Sequence, residues 1–279
     1  VARSIASSLS TSLGQSVYVD NKPGGAGNIA MEEVKRANPD GYTLMLGHVG
    51  TLAVNPALFG KKLPYDPNAD FAPVTLVAKV PNVIAVSEKS AYKTLADLVA
   101  DAKKNPGKIN FASSGTGTSH QLAGEMFKQY AGIDITHVPY KGSPQAHIDL
   151  MGGSVDLMFD NIVAVGPLVK SGKLKALAVT SKSRSPTLPN VPTMQESGYP
   201  NIEAVAWFGV LVPKATPKVI INRLNKEFVI ALTIPEIKNK LEESGAQVIA
   251  STPEDFDAFM QNEVKKWSSV INTAKISLD

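Results

Sequence analysis

Short apolar runs with β character alternate with helix-patterned segments along most of this chain, and that alternation is the tightest constraint on its fold. It is most regular between residues 109 and 181. There "INFASS" (109–114), "ITHVPYK" (135–141), "VDLMFDN" (155–161) and "LKALAVTS" (174–181) read as strands, and 118–131, 143–153 and 162–172 carry helical spacing between them. Strands joined by helices of this length form βαβ units and a largely parallel sheet. Upstream, "SVYVDNK" (16–22) and "YTLMLGHVG" (42–50) read as strands, and 71–88 as two strands divided by Pro81. Helices are expected over the first 14 residues, where Val1, Ile5, Leu9 and Leu13 share a face, from Ile29 to about Ala37, and over 94–107. Thr94 and Asp97 resemble a capping box there. The proline-rich 182–205 reads as loop with one short helix, 206–213 as a strand, and Thr-Pro opens two C-terminal helices, 216–232 and 252–271.

The pattern divides into two α/β units, residues 1–103 plus 214–279 and residues 104–213. A C-terminal return to the first unit makes two chain crossings and leaves a cleft between the units. Composition narrows the function. Of 279 residues, 43% are apolar and 19% charged, which suits a globular protein with a full core. The net charge is +3 and Lys-Lys pairs stand isolated at 61–62, 103–104 and 265–266, so there is no basic stripe for nucleic acid. The chain has no Cys, which removes disulfides, thiolate metal sites and cysteine nucleophiles. Histidines at 48, 120, 137 and 147 show no metal-ligand spacing, and each reads as a surface or satisfied residue. No metal, cofactor or catalytic residue is expected. Ser119 and His120 are helix neighbours that do not face each other. There is no G-x-S-x-G elbow. "DNKPGGAGNIA" (20–30) lacks the glycine offsets of a dinucleotide site.

Four strand-to-helix edges carry small polar residues instead. In "FASSGTGTSHQLAGEMF" (111–127), Thr118 and Gln121 match a capping box, and the loop holds no Arg or Lys. Helix N-termini present free N–H groups and partial positive charge. Thr116, Thr118 and Ser119 could therefore hold a carboxylate, or the loop could be an ordinary glycine-rich turn. Asp160 and Asn161 sit just past a strand end, where open α/β sheets bind ligands, or they cap the next helix. Gly142 and Ser143 open a third edge, and Thr51, read as an N-cap, a fourth.

Together these edges resemble one family. "NKPGGAGNIA", "PDGYTLMLG", "FASSGTGTSHQLAGEMF", "VPYKGSPQAHIDLMGGSVDLMFDN", "GKLKALAVTSKSRSPTLPNVPTMQESGYP" and "WFGVLVP" look like the Bug-type solute receptors of tripartite tricarboxylate transporters. The resemblance implies a two-domain α/β periplasmic binding protein of type II-like architecture. It would be a monomer that captures a small carboxylate (a di- or tricarboxylate, an acidic amino acid or an aromatic acid) and delivers it to membrane transporter subunits. By position it puts the Thr116–Ser119 loop, Asp160 and the 47–51 loop at the ligand. Family members begin with a strand and a Pro-Gly-rich loop ahead of the helix that starts here at Val1, so an upstream strand is expected. Two other classes remain open on residues alone. One is an α/β enzyme using Ser119 or Asp160. The other is a cytoplasmic effector-binding regulatory domain, normally fused to a helix-turn-helix, for which no pattern is seen.

Overall fold

A computed structural model describes residues 2–22, 24 and 27–276; Pro23, Gly25 and Ala26 of the 20–30 loop lie outside the described residues. The elements in chain order are α1 (Ala2–Leu13), α2 (Asn28–Lys35), β1 (Met45–His48), a π-helical turn (Gly50–Val54), α3 (Asn55–Phe59) and β2 (Phe71–Ser87). Then come α4 (Leu95–Lys104), β3 (Asn110–Ser113), α5 (Ser119–Ala131), β4 (Thr136–Pro139), α6 (Ser143–Gly152), β5 (Leu157–Asn161), α7 (Ile162–Lys170) and β6 (Leu174–Val179). β7 (Val205–Pro213), α8 (Lys218–Thr233), α9 (Pro235–Glu243), β8 (Gln247–Val248) and α10 (Pro253–Ala274) complete the chain.

β2 corrects two sequence expectations. It runs unbroken through Pro81, which falls where the ladder with β8 has ended, at Ala78 and Lys79, and those with β5 and β6 have not begun, at Asn82 and Val83. A proline breaks a strand only where its missing N–H is needed. Because β2 is continuous, the chain divides at 79/80 and 206/207 rather than at 103/104 and 213/214. One unit is Val1–Lys79, Trp207–Glu242 and Gln247–Asn272; the other is Val80–Ala206 with Glu243–Ala246 and Thr273–Asp279. The expected mostly parallel sheets are also mixed. In the first unit β1 runs antiparallel to β7 and β8 antiparallel to β2. In the second, β3 is parallel to β4 and β5, while the later half of β2 is antiparallel to β5 and β6.

Other departures are local. Residues 16–22 form no strand; Val17 N donates to the Ser10 hydroxyl instead. Residues 182–204 are turns and bends without a helix, with Thr193 in a parallel bridge to Val179. The capping box at Thr94 and Asp97 is closed in both directions. Thr252 caps its helix through Asp255 N (3.1 Å), whereas α8 starts from Pro217 and the Thr216 hydroxyl is buried without a partner.

Two packing features fix the units. In the second, the buried rings of Phe111 and Phe159 meet edge to face at 5.8 Å and Phe127 tilts against Phe159 at 6.0 Å, joining β3, β5 and α5. Gly124 lets α5 sit hard on that cluster: a Cβ there would stand 2.3 Å from the Phe111 ring. This seats the N-terminus of α5 over the carboxyl end of β3. In the first unit, the Glu263 carboxylate on α10 accepts from the indole N–H groups of Trp207 (2.8 Å) and Trp267 (2.9 Å), both fully buried, and pairs with Lys266. Glu263→Leu would leave two buried indole donors unpaired, at about 1–3 kcal/mol each. We expect a loss of about 2–5 kcal/mol by urea denaturation; a loss under about 1 kcal/mol would show that the indoles find other acceptors.

Candidate functional site

In the second unit the parallel strands β3, β4 and β5 end together, so the loops they feed, 114–118, 140–142 and 161, meet at one sheet edge. This is where open α/β sheets place ligands. Backbone bonds tie the loops: Tyr140 N donates to Ser113 O (3.0 Å) and Gly142 N to Ser114 O (3.1 Å). Gly115 (φ 142°) and Gly142 (φ 110°) take conformations that side chains resist, and a Cβ on Gly115 would stand 3.3 Å from Tyr140 O.

The loop before α5 uses its side chains on itself. The Thr118 hydroxyl donates to Gly115 O (2.7 Å) and accepts from Gln121 N (3.4 Å). Gln121 Oε1 accepts from Gly117 N (2.8 Å), one residue earlier than the expected capping box would place it. Ser113 Oγ donates to Gly115 O, accepts from Gly115 N and meets His137 Nε2 at 2.7 Å. Thr116 and Gly117 form a turn that Thr118 N–H closes onto Gly115 O, and among the described residues no hydrogen bond of ordinary geometry engages the N–H groups of Thr116, Ser119 or His120. The Thr118 hydroxyl is thus committed, and the free donors are backbone groups at a helix N-terminus.

Beside them lies a cluster that no local pattern shows. Asp160, 1% exposed, receives His147 Nε2 (2.8 Å) on Oδ2 and Asn161 N (2.7 Å) on Oδ1, and His120 Nε2 stands at ion-pair distance from Oδ1 (3.2 Å). Burial pushes the Asp160 carboxyl up, but His147, His120, Ser143 and Asn161 N outweigh it and hold the group below its ordinary value. His120 Nδ1 in turn meets the Ser114 hydroxyl at 2.7 Å. Burial holds His120 below its ordinary value, against the pull of Asp160. With Asp160 ionised, Nε2 carries the hydrogen and Nδ1 accepts from Ser114.

Opposite in the β2–β5 ladder stand Asn82 and Asn161. Asn82 Nδ2 donates to Ser119 O (3.3 Å) and Ala204 O (2.8 Å), which orients the amide and leaves its buried Oδ1 without a partner. The Asn161 amide favours the charged form of His120, yet its buried Oδ1 makes no hydrogen bond of ordinary geometry.

The structure therefore gathers Thr116, Thr118, Ser119, Gly142, Ser143, Asp160 and Asn161 at one edge of one unit. Gly142 is the N-cap of α6 and Asn161 that of α7, neither through a side-chain bond. Thr51 lies in the other unit. It is not an N-cap: its fully buried hydroxyl donates to His48 O (3.1 Å) and accepts from His48 N (3.2 Å) inside the π-helical turn. Sequence reasoning missed Ser114, His120, His147 and Asn82, because the contacts that define their roles are made by the fold. Among the described residues, no group of three His, Asp or Glu is placed to hold a metal ion.

Two outcomes follow from this geometry. Thr118→Val should cost about 1 kcal/mol by chemical denaturation, as lost caps do, with Thr118→Ser near wild type; equal losses would mean that the hydroxyl is not the cap. His137, stacked on Phe111, is lowered to about 4 by burial and by Lys128. Between about pH 6.5 and 4 the unfolded chain binds a proton there that the folded chain does not. That contribution is whole above about 6.5 and shrinks as pH falls, so His137→Gln should lose less stability than wild type between pH 7 and 5. Parallel losses would place the acid sensitivity elsewhere.

The chain is similar to known proteins along almost its whole length. The model of the "Tripartite tricarboxylate transporter family receptor" matches residues 1–276. The structure titled periplasmic binding protein BugD is 37% identical with a TM-score of 0.84, over 99% of this chain and 92% of that one. R. palustris Rpa4515 with adipate is 38% identical with a TM-score of 0.88, over 99% and 92%. MatC of Rhodopseudomonas palustris with bound malate is 32% identical with a TM-score of 0.84, over 97% and 92%. With its paired α/β units and a receptor-family match from end to end, the chain belongs to the receptors of the tripartite tricarboxylate transporter family, those of Bug type included.

Proposed function

We propose that this protein captures a small carboxylate in the periplasm and, as a monomer, passes it to the membrane subunits of a tripartite transporter. One observation carries the reading: the loop before α5 and the first turn of that helix offer backbone N–H groups at 116, 119 and 120, after the loop's own groups have satisfied 115, 117, 118 and 121. A carboxylate suits such a site, since N–H donors and the helix dipole both favour an anion. Gly142 and Ser143 border it, Asp160 and Asn161 back it, and Thr51 is left as a structural residue of the other unit. Two relatives above 30% identity, Rpa4515 with adipate and MatC with bound malate, support a diacid as the first ligand to try.

Ser119 provides a clean test. It is the first residue of α5, where proline is well tolerated, and Thr118 (φ −78°, ψ 159°) already has the extended backbone that proline requires before it. Ser119→Pro deletes one N–H, and Ser119→Ala deletes only the hydroxyl. With adipate or malate in calorimetry, the proline variant should lose roughly 10- to 150-fold in affinity, the worth of one charged hydrogen bond. The alanine variant should lose less. Equal affinity for all three proteins, with unchanged melting temperatures, would move the carboxylate away from α5.

A further inference from the structure

An anion site without Arg or Lys needs its charge balanced in another way, all the more beside a buried, ionised Asp160. We propose that capture of a carboxylate at the α5 N-terminus draws one proton onto His120 and so converts Ser114 into a ligand donor. The inference rests on the function proposed above and concerns the control of the same site.

The geometry gives the sequence of events. The His120 ring lies between Asp160, whose Oδ1 stands 3.2 Å from Nε2 at ion-pair distance, and Ser114, whose Oγ meets Nδ1 at 2.7 Å. In the neutral ring the hydrogen sits on Nε2, and Ser114 spends its own hydrogen on Nδ1. A proton added to Nδ1 reverses that second bond: the imidazolium donates to Ser114 Oγ, and the hydroxyl hydrogen is released. Both changes favour an anion, because the local charge rises by one and the half-buried Ser114, at the head of the loop, gains a free donor. The groups facing His120 are Asp160 and Asn161 from β5, His147 from α6 and Ser114 from its own loop; among the described residues no lysine or arginine acts on it. Burial keeps the ring neutral near pH 7 without ligand, so there is a proton to take up.

The sign of the pH effect follows. An anion beside His120 raises its pKa, so binding takes up a fraction of a proton between the unliganded and liganded values. Affinity is greatest below that window. It falls by up to about tenfold per pH unit as pH rises through it, and is level above it.

Calorimetry with adipate at about pH 6.5 to 8.5, in phosphate and in Tris, reads the proton directly from the difference in apparent heat. Wild type and His147→Gln should take up a proton fraction, and His120→Gln none, with an affinity that no longer varies with pH. Ser114→Ala should weaken binding most at the acid end of the range. Proton NMR of the His120 ring in wild type, with and without adipate, reads the same event should His120→Gln fold poorly. Adipate binding with no proton uptake and a flat pH profile overturns the inference and leaves the carboxylate reading standing. Uptake that survives in His120→Gln and vanishes in His147→Gln overturns the assignment to His120. No binding of adipate or malate at any of these pH values overturns the carboxylate reading, and the inference with it.

Discussion

A carboxylate as deeply buried as that of Asp160 stays ionised only if donors surround it, and meeting that demand organises the functional end of the second unit. Unpaired, such a charge costs several kcal/mol, and removing one partner of a buried pair typically costs about 3–5 kcal/mol. Here the partners come from three places: His120 on α5, His147 on α6 and the backbone of Asn161 at the head of α7. Each helix is thereby pinned at or near its N-terminal turn to the end of one strand. The Phe111–Phe127–Phe159 cluster holds α5 from beneath, and Gly124 sets the depth.

That arrangement explains how a loop with no cation can suit an anion. Side-chain oxygens of Ser113, Thr118 and Gln121 satisfy the backbone groups that would otherwise compete, and hold the loop in one shape. What remains unengaged is a set of N–H groups at the start of a helix. Such donors recognise a carboxylate without discriminating strongly among acids. On the proposed reading the rest of the ligand is recognised by other groups; relatives carry acids as different as adipate and malate.

Much of the fold was legible from sequence, because much of it is local. Thr94 with Asp97, Thr118 before α5 and Thr252 before α10 mark helix starts through bonds spanning three residues. The strands β3 to β6 stand out by their apolar runs. Where the outcome depended on partners distant in the chain, sequence reading failed. Pro81 reads as a break until the ladders on either side of it are known. "SVYVDNK" has strand composition and no strand beside it among the described residues. Thr216-Pro217 and Thr252-Pro253 look alike, yet only the second threonine caps. The site divides in the same way. Thr116, Thr118, Ser119, Gly142, Ser143, Asp160 and Asn161 stand out in the sequence because strand-to-helix edges are sequence features, and the fold brings them to one edge of one unit. His120 and His147, 27 positions apart, become one unit only through Asp160. The N-cap reading of Thr51 failed because a hydroxyl near a helix start can equally close back on its own turn.

The central claim is that backbone N–H groups at the start of α5 hold the ligand's carboxylate. A crystal structure of this protein with adipate, refined well enough to place both carboxylate oxygens, tests it most directly. The account predicts one carboxylate within about 2.7–3.2 Å of the N–H groups of residues 116, 119 and 120, with Asp160 still enclosed by His120 and His147. A carboxylate seated elsewhere, with those N–H groups turned to solvent, would contradict it.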